Sequence, residues 1–152
     1  MSRHSAYSFA TRRLVIVALA IIGLTLGASA QNRLSDKDIE ALMTNLRNDT
    51  KSFRPQFNSA IHKSIIRKTS REKDAKTLIL NFENQTKGLS ESFKKTKKGT
   101  ELPTVISTSD QIDKLINELK LDTGITSRWQ KIRAELSQLS TAFGVSPPAT
   151  QR

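Results

Sequence analysis

Few side chains in this sequence are equipped for chemistry. Its 152 residues include no cysteine and two histidines, His4 and His62. Zinc centres draw mainly on imidazole and thiolate ligands, so a single histidine beyond residue 30 excludes the usual donor sets. A nucleophile–histidine–carboxylate arrangement would have to use His62. That residue stands in Ala60-Ile61-His62-Lys63, beside an apolar helical stripe, where an exposed or half-buried helical histidine is the ordinary reading. The sequence has no phosphate-binding G-x-x-x-x-G-K-[ST], no G-x-G-x-x-G and no G-x-S-x-G. Asp36 and Asp38 lack the glycine and downstream ligands of a calcium loop. No catalytic residue, metal ligand or cofactor is therefore assigned, and an enzyme is not expected. Asn48-Asp49-Thr50 and Asn84-Gln85-Thr86 match the glycosylation sequon, but both fall inside expected helices and matter only in a eukaryotic secretory route.

Charge is the positive lead. Lysine and arginine number 25 against 14 acids, a formal net charge of +11. What this charge can do depends on the elements that carry it.

Four segments have helical period. Ser35 offers an N-cap, with Asp36 and Asp38 at the positive end of the helix dipole. Ile39, Leu42, Leu46, Thr50, Phe53, Phe57, Ile61 and Ile65 then follow at spacings of three and four, one face of a helix over about 35–66. Pro55 removes a hydrogen bond and clashes with the preceding turn, which predicts a kink or a break near residues 51–55. Thr69 or Ser70 caps a second helix, about 71–97, with Ala75, Leu78, Ile79, Phe82, Thr86, Leu89 and Phe93 as its apolar face. Lys94, Lys95, Lys97 and Lys98 suit its C-terminal end, and Gly99 is expected to stop it. Pro103 opens a third helix, about 104–121, with Val105, Ile106, Ile112, Leu115, Ile116 and Leu119 inward. Asp122-Thr123-Gly124 reads as a turn. Ile125, Trp129, Ile132, Leu136, Leu139 and Phe143 mark the fourth helix, about 125–143, and Gly144 caps it. Residues 144–152, with Pro147-Pro148, read as a disordered tail. The aromatic residues lie at helical spacing and read as core. No stretch alternates with period two.

Four amphipathic helices with short connections predict an all-α, antiparallel up-down four-helix bundle over 35–143. The first two helices are the longer, so the turn around Arg67–Arg71 is expected to project beyond the shorter pair. Antiparallel packing also sorts the charge. Lys94–Lys98 should lie near Asp36, Asp38 and Glu40. The other end gathers Arg67, Lys68, Arg71, Lys73, Lys120, Arg128 and Lys131 against Glu72, Asp74 and Asp122. That end is the candidate anion-binding surface: it suits a polyanion or an anionic membrane, or is simply a solvated basic face. Nucleic acid is disfavoured, because the few aromatics fit the apolar stripes and no recognition motif is present.

The first thirty residues address the chain. Arg3, Arg12 and Arg13 precede an apolar run from Leu14 to Leu26, and Ala28-Ser29-Ala30 supplies small residues at the cleavage positions. This is the pattern of a secretory signal peptide, with cleavage between Ala30 and Gln31 and a short arm at 31–34. The uncharged run from Leu14 to Ala30 also allows an uncleaved membrane anchor, and Arg12-Arg13 a twin-arginine route. No cysteine follows to carry a lipid. Cleavage leaves 122 residues with a formal charge of +8, one domain without disulfides. Periplasmic or extracellular localisation follows, and with it an unknown protein or an anionic envelope component as partner.

Phe53-Arg54-x-x-Phe57-x-x-Ala60-Ile61 resembles the F-R-x-x-L-x-x-A-L pattern of a group of small secreted bacterial proteins. Trp129-x-x-Ile132-Arg133-x-x-Leu136-x-x-Leu139 resembles their C-terminal helix. The resemblance covers most of 35–143, with Pro55 as a departure. It implies a signal peptide and an all-helical mature region, and carries no catalytic residues. The periplasmic chaperones of the Spy type are similar in design, being exported, basic, cysteine-free and helical, but their L-T-x-x-Q repeats are missing here. The expected role is a non-enzymatic interaction or structural module, with polyanion or membrane binding and a chaperone-like role as alternatives.

Overall fold

A computed structural model of the chain describes residues 34–149. The signal segment, its Ala30–Gln31 cleavage site and residues 150–152 lie outside the described residues. The elements are α1 (Asp36–Lys63), α2 (Ser70–Thr96), α3 (Leu102–Glu118) and α4 (Thr123–Phe143). They pack as an antiparallel up-down bundle in a closed ring: α1 against α2 and α4, α3 against α2 and α4.

Three of the four helices begin where a side chain satisfies an orphan amide. The Ser35 hydroxyl accepts from the Asp38 amide while the Asp38 carboxylate accepts from the Ser35 amide, a capping box. Thr69 caps α2 through the Glu72 amide, and Asp122 caps α4 through the Ile125 amide. Asp122-Thr123-Gly124 is thus the cap and first turn of α4. The preceding reversal is made at Lys120, which is left-handed, with the Leu121 amide donating to the Ile116 carbonyl.

Pro55 does not break α1, which runs unbroken through it. Pro55 and Lys51, whose carbonyl loses its partner, both face solvent, so water can satisfy the freed oxygen. Phe53 and Phe57, on either side, are buried and tie both turns to the core. The helix instead stops at Lys63, because Ser64 turns to an extended conformation and its hydroxyl donates to the Ile61 carbonyl. That stop ejects Ile65 from the stripe. It is 88% exposed, and Ile66 fills the core in its place.

Lys97, not Gly99, ends α2 as a left-handed cap with φ of 55°. Gly99 serves close packing: a Cβ there would lie 2.9 Å from the Phe143 ring. The overhang of the longer pair also lies elsewhere than expected. Arg71 pairs with Glu118, so α3 reaches the base of α2. It is the upper end of α2 that overruns α3, and the end of α4 covers it through the Phe93–Phe143 contact.

The described part of the tail is not disordered. Val145 packs on the core, Pro148 is buried, and Ala149 bonds to Arg133 and Asp110. Gly144, left-handed with φ of 65°, ends α4, and the residues after it lie along the α3–α4 seam.

Candidate functional site

At the end built by the 64–69 and 119–122 connections, three carboxylates are already committed. Glu72 is buried. One of its oxygens lies 2.9 Å from His62 Nδ1 and 2.6 Å from Lys76 Nζ, and the other accepts from the Lys68 amide at 2.5 Å. These partners, Lys76 foremost and then His62 and Lys68, hold its carboxyl down at about 2. His62 therefore ties the end of α1 to the start of α2. Glu118 pairs with Arg71, and Asp122 caps α4. Asp74 is the one carboxylate of this end with neither a cap nor an ion pair among the described residues.

The cations are less committed. Lys63, Arg67, Lys68, Lys73 and Lys120 are exposed and have no ion pair among the described residues. Two of them occupy positions that favour glycine: Lys68 has φ of 61° and Lys120 of 48°. A left-handed residue with a Cβ costs roughly 1 kcal/mol relative to glycine. Lys120→Gly is accordingly expected to raise stability by about 0.5–1 kcal/mol in urea unfolding. An unchanged or lower midpoint would show that the lysine side chain stabilises the turn.

Of the expected anion-binding set, Arg67, Lys68, Lys73 and Lys120 are thus brought together and free. Arg71 is at the same end but neutralised by Glu118. Arg128 is exposed in the second turn of α4. Lys131 is misplaced by the sequence reading: it lies about 12 Å up α4 from the helix start and pairs with Asp49 in the middle of α1 at 2.7 Å. At the opposite end Lys97 pairs with Glu40 as expected, whereas Asp38 is spent in the capping box.

The Lys131 pair leads to a group the sequence reading missed. Glu135, one turn further along α4, is buried, and its carboxyl is coupled to that of Asp49. Burial first, then the bond to Asp49 and its charge, push the Glu135 carboxyl up to about 7. Burial also pushes Asp49 upward, but the bonds from Lys131 and Glu135 and the ammonium charge outweigh it, holding Asp49 below the usual range. Two carboxyls sharing one proton are the raw material of acid–base catalysis. Here neither lines any of the four surface clefts described, which lie at α3 and the tail, at the α3–α4 seam, between α2 and α3, and beside Pro55.

A second buried polar cluster joins α3 to α4. Trp129 Nε1 donates to Asp113 Oδ1 at 3.0 Å, and Arg133 Nη1 donates to Asp110 at 2.7 Å. Asp113 and Arg133 sit next to stripe positions, Ile112 and Ile132, so apolar periodicity alone does not separate them from surface. Among the described residues no group of three or more histidine, aspartate or glutamate side chains could hold a metal, and no helix is long and apolar enough to cross a membrane. In both sequons the threonine is buried within a helix.

No protein-family model, no curated protein and no solved structure matches this chain.

Proposed function

We propose that this chain is an exported, non-enzymatic four-helix interaction module of the bacterial envelope, and that it meets an anionic lipid surface through the 64–69 end. The observation that carries the reading is Ile65. It is the most exposed large apolar side chain among the described residues, at the tip of the connection, flanked in sequence by Lys63, Arg67 and Lys68 without counter-ions. An apolar tip within a basic ring suits the interface of an anionic bilayer, where acyl contact and headgroup attraction act together. Committed carboxylates and left-handed lysines at the same end support the choice. The signal-peptide pattern of residues 1–30 supports the envelope setting. A chaperone-like role has less support, since the exposed large apolar residues Leu34, Ile65 and Leu80 stand in three separate places.

The test is co-sedimentation with vesicles of phosphatidylethanolamine and phosphatidylglycerol at 3:1. Each cation near such a surface contributes about 1 kcal/mol, so Arg67→Glu, Lys68→Glu and Lys120→Glu together should weaken binding by at least about 100-fold. Lys94→Glu, Lys95→Glu and Lys98→Glu should do much less, and binding should fall steeply with salt. Ile65→Ser should weaken vesicle binding while leaving binding to soluble polyphosphate unchanged. Equal effects from the two charge-reversal sets, or salt-independent binding, would remove this end from consideration.

A further inference from the structure

The α3–α4 seam is built unlike the rest of the bundle. Its floor carries a buried guanidinium, Arg133, and a buried carboxylate, Asp113, where burial of paired charges rarely improves on apolar packing. Its roof is the tail, and the mode of attachment is specific. Asp110 Oδ1 accepts from the Ala149 amide at 3.1 Å, and Arg133 Nη2 donates to the Ala149 carbonyl. Asp110 and Arg133 are themselves paired at 2.7 Å. One ion pair therefore grips both backbone groups of one residue, while the preceding Pro148 is buried. This reads main chain rather than side chain, and requires a residue with a free N–H directly after a proline.

The tail also fills the seam incompletely. A cleft of about 720 Å³ lies on one side of it, walled by Pro103, Ile106 and Lys114, and one of about 300 Å³ on the other, with Asn117, Gln130 and Ser137. The groove is larger than the segment it holds.

We propose that the α3–α4 seam is a docking groove for an extended, proline-containing segment of another polypeptide, which the chain's own residues 145–149 occupy in its absence. The Asp110–Arg133 pair supplies backbone recognition, the Pro148 position supplies a slot for proline, and the flanking clefts accept larger side chains on either side. The surface is distinct from the 64–69 end, so vesicle binding and peptide binding succeed or fail separately.

The experiment uses the full chain. Ala149→Pro removes the amide that Asp110 accepts and loosens the tail without touching the groove. The probe is Val-Ser-Pro-Pro-Ala-amide with a fluorophore on its N-terminal amine, followed by anisotropy. The probe is expected to bind the Ala149→Pro variant at least tenfold more tightly than the wild-type chain, whose tail competes. The same peptide with N-methylalanine in last place should bind that variant at least tenfold more weakly, a control that leaves the protein untouched. Asp110→Asn, at a half-exposed position, should weaken binding in the same background. Equal binding by wild type and Ala149→Pro, or indifference to N-methylation, overturns the proposal. Wild-type dimers that dissociate on Ala149→Pro substitution would assign the groove to a second copy's tail and likewise overturn it.

Discussion

Trp129→Ala is expected to cost about 3–5 kcal/mol, a large part of the 5–15 kcal/mol that holds a domain of this size together. The side chain is fully buried and reaches from α4 to every other helix. Its ring centroid lies 5.4 Å from Phe53 of α1 and 5.4 Å from Phe82 of α2, the latter edge-on, and its indole N–H donates to Asp113 of α3. Truncation removes the aromatic contacts, leaves a cavity among α1, α2 and α4, and takes a donor from a buried carboxylate. The melting temperature should fall by about 15 °C. Trp129→Phe separates the contributions: it keeps most of the packing and removes only the donor, for about 1–2 kcal/mol, because Arg133 Nε remains 3.9 Å from Asp113. Near-equal losses for the two variants would place the stabilisation in the hydrogen bond rather than in the packing.

Such an anchor is visible from sequence because it lies on a stripe. Ile125, Trp129, Ile132, Leu136 and Leu139 repeat at three and four residues, and all five are buried. The α1 stripe is legible for the same reason, with one refinement. Met43 rather than Leu42 is the deeply buried residue, since 39, 43, 46, 50 and 53 follow the seam more closely. What periodicity does not carry is where a stripe ends. Ile65 continues the spacing perfectly, yet a serine side chain bonding back to the Ile61 carbonyl stops the helix two residues earlier. Gly99 looked like a helix stop because glycine commonly is one, while its role is the approach of the Phe143 ring. The prolines of the tail carry no signal of a partner for it. Its order depends on Asp110 and Arg133, more than 15 residues distant in sequence and meeting it only after the helices have packed. The basic end was readable as a cluster of residue types. Which cations remain free was not, because that depends on Glu72 meeting His62 and Lys76 and on Glu118 meeting Arg71 of another helix.

The Asp49–Glu135 pair was the least legible feature and has the clearest pH signature. A glutamate titrates near 4.5 when unfolded, whereas folded Glu135 titrates near 7. The folded chain therefore holds this proton more tightly. The contribution of Glu135 to stability is fullest below 4.5 and is lost as pH rises through 7. Asp49 has the opposite sign: held below 3.8, it stabilises above that value and the gain is lost as pH falls through its folded titration. Between these limits the pair carries one proton, on Glu135, donated toward an ionised Asp49 that Lys131 also holds. Glu135→Gln supplies a permanent donor of the same shape. At pH 8 it should be more stable than wild type by about 1–2 kcal/mol, a figure reduced from the full shift because water screens part of the interaction. At pH 5 the two should coincide, since wild type is then protonated at the same position. In an Asp49→Asn background that advantage should shrink but persist, because the neighbouring charge is gone while the burial that contributes most to the shift remains. Urea midpoints at pH 5, 6.5 and 8 measure all these chains, and an undiminished pH dependence in Glu135→Gln would refute the shared proton. The pair lies at an α1–α4 contact rather than in a cleft, so its titration acts on the grip between these helices: rising pH is expected to loosen the bundle at its middle.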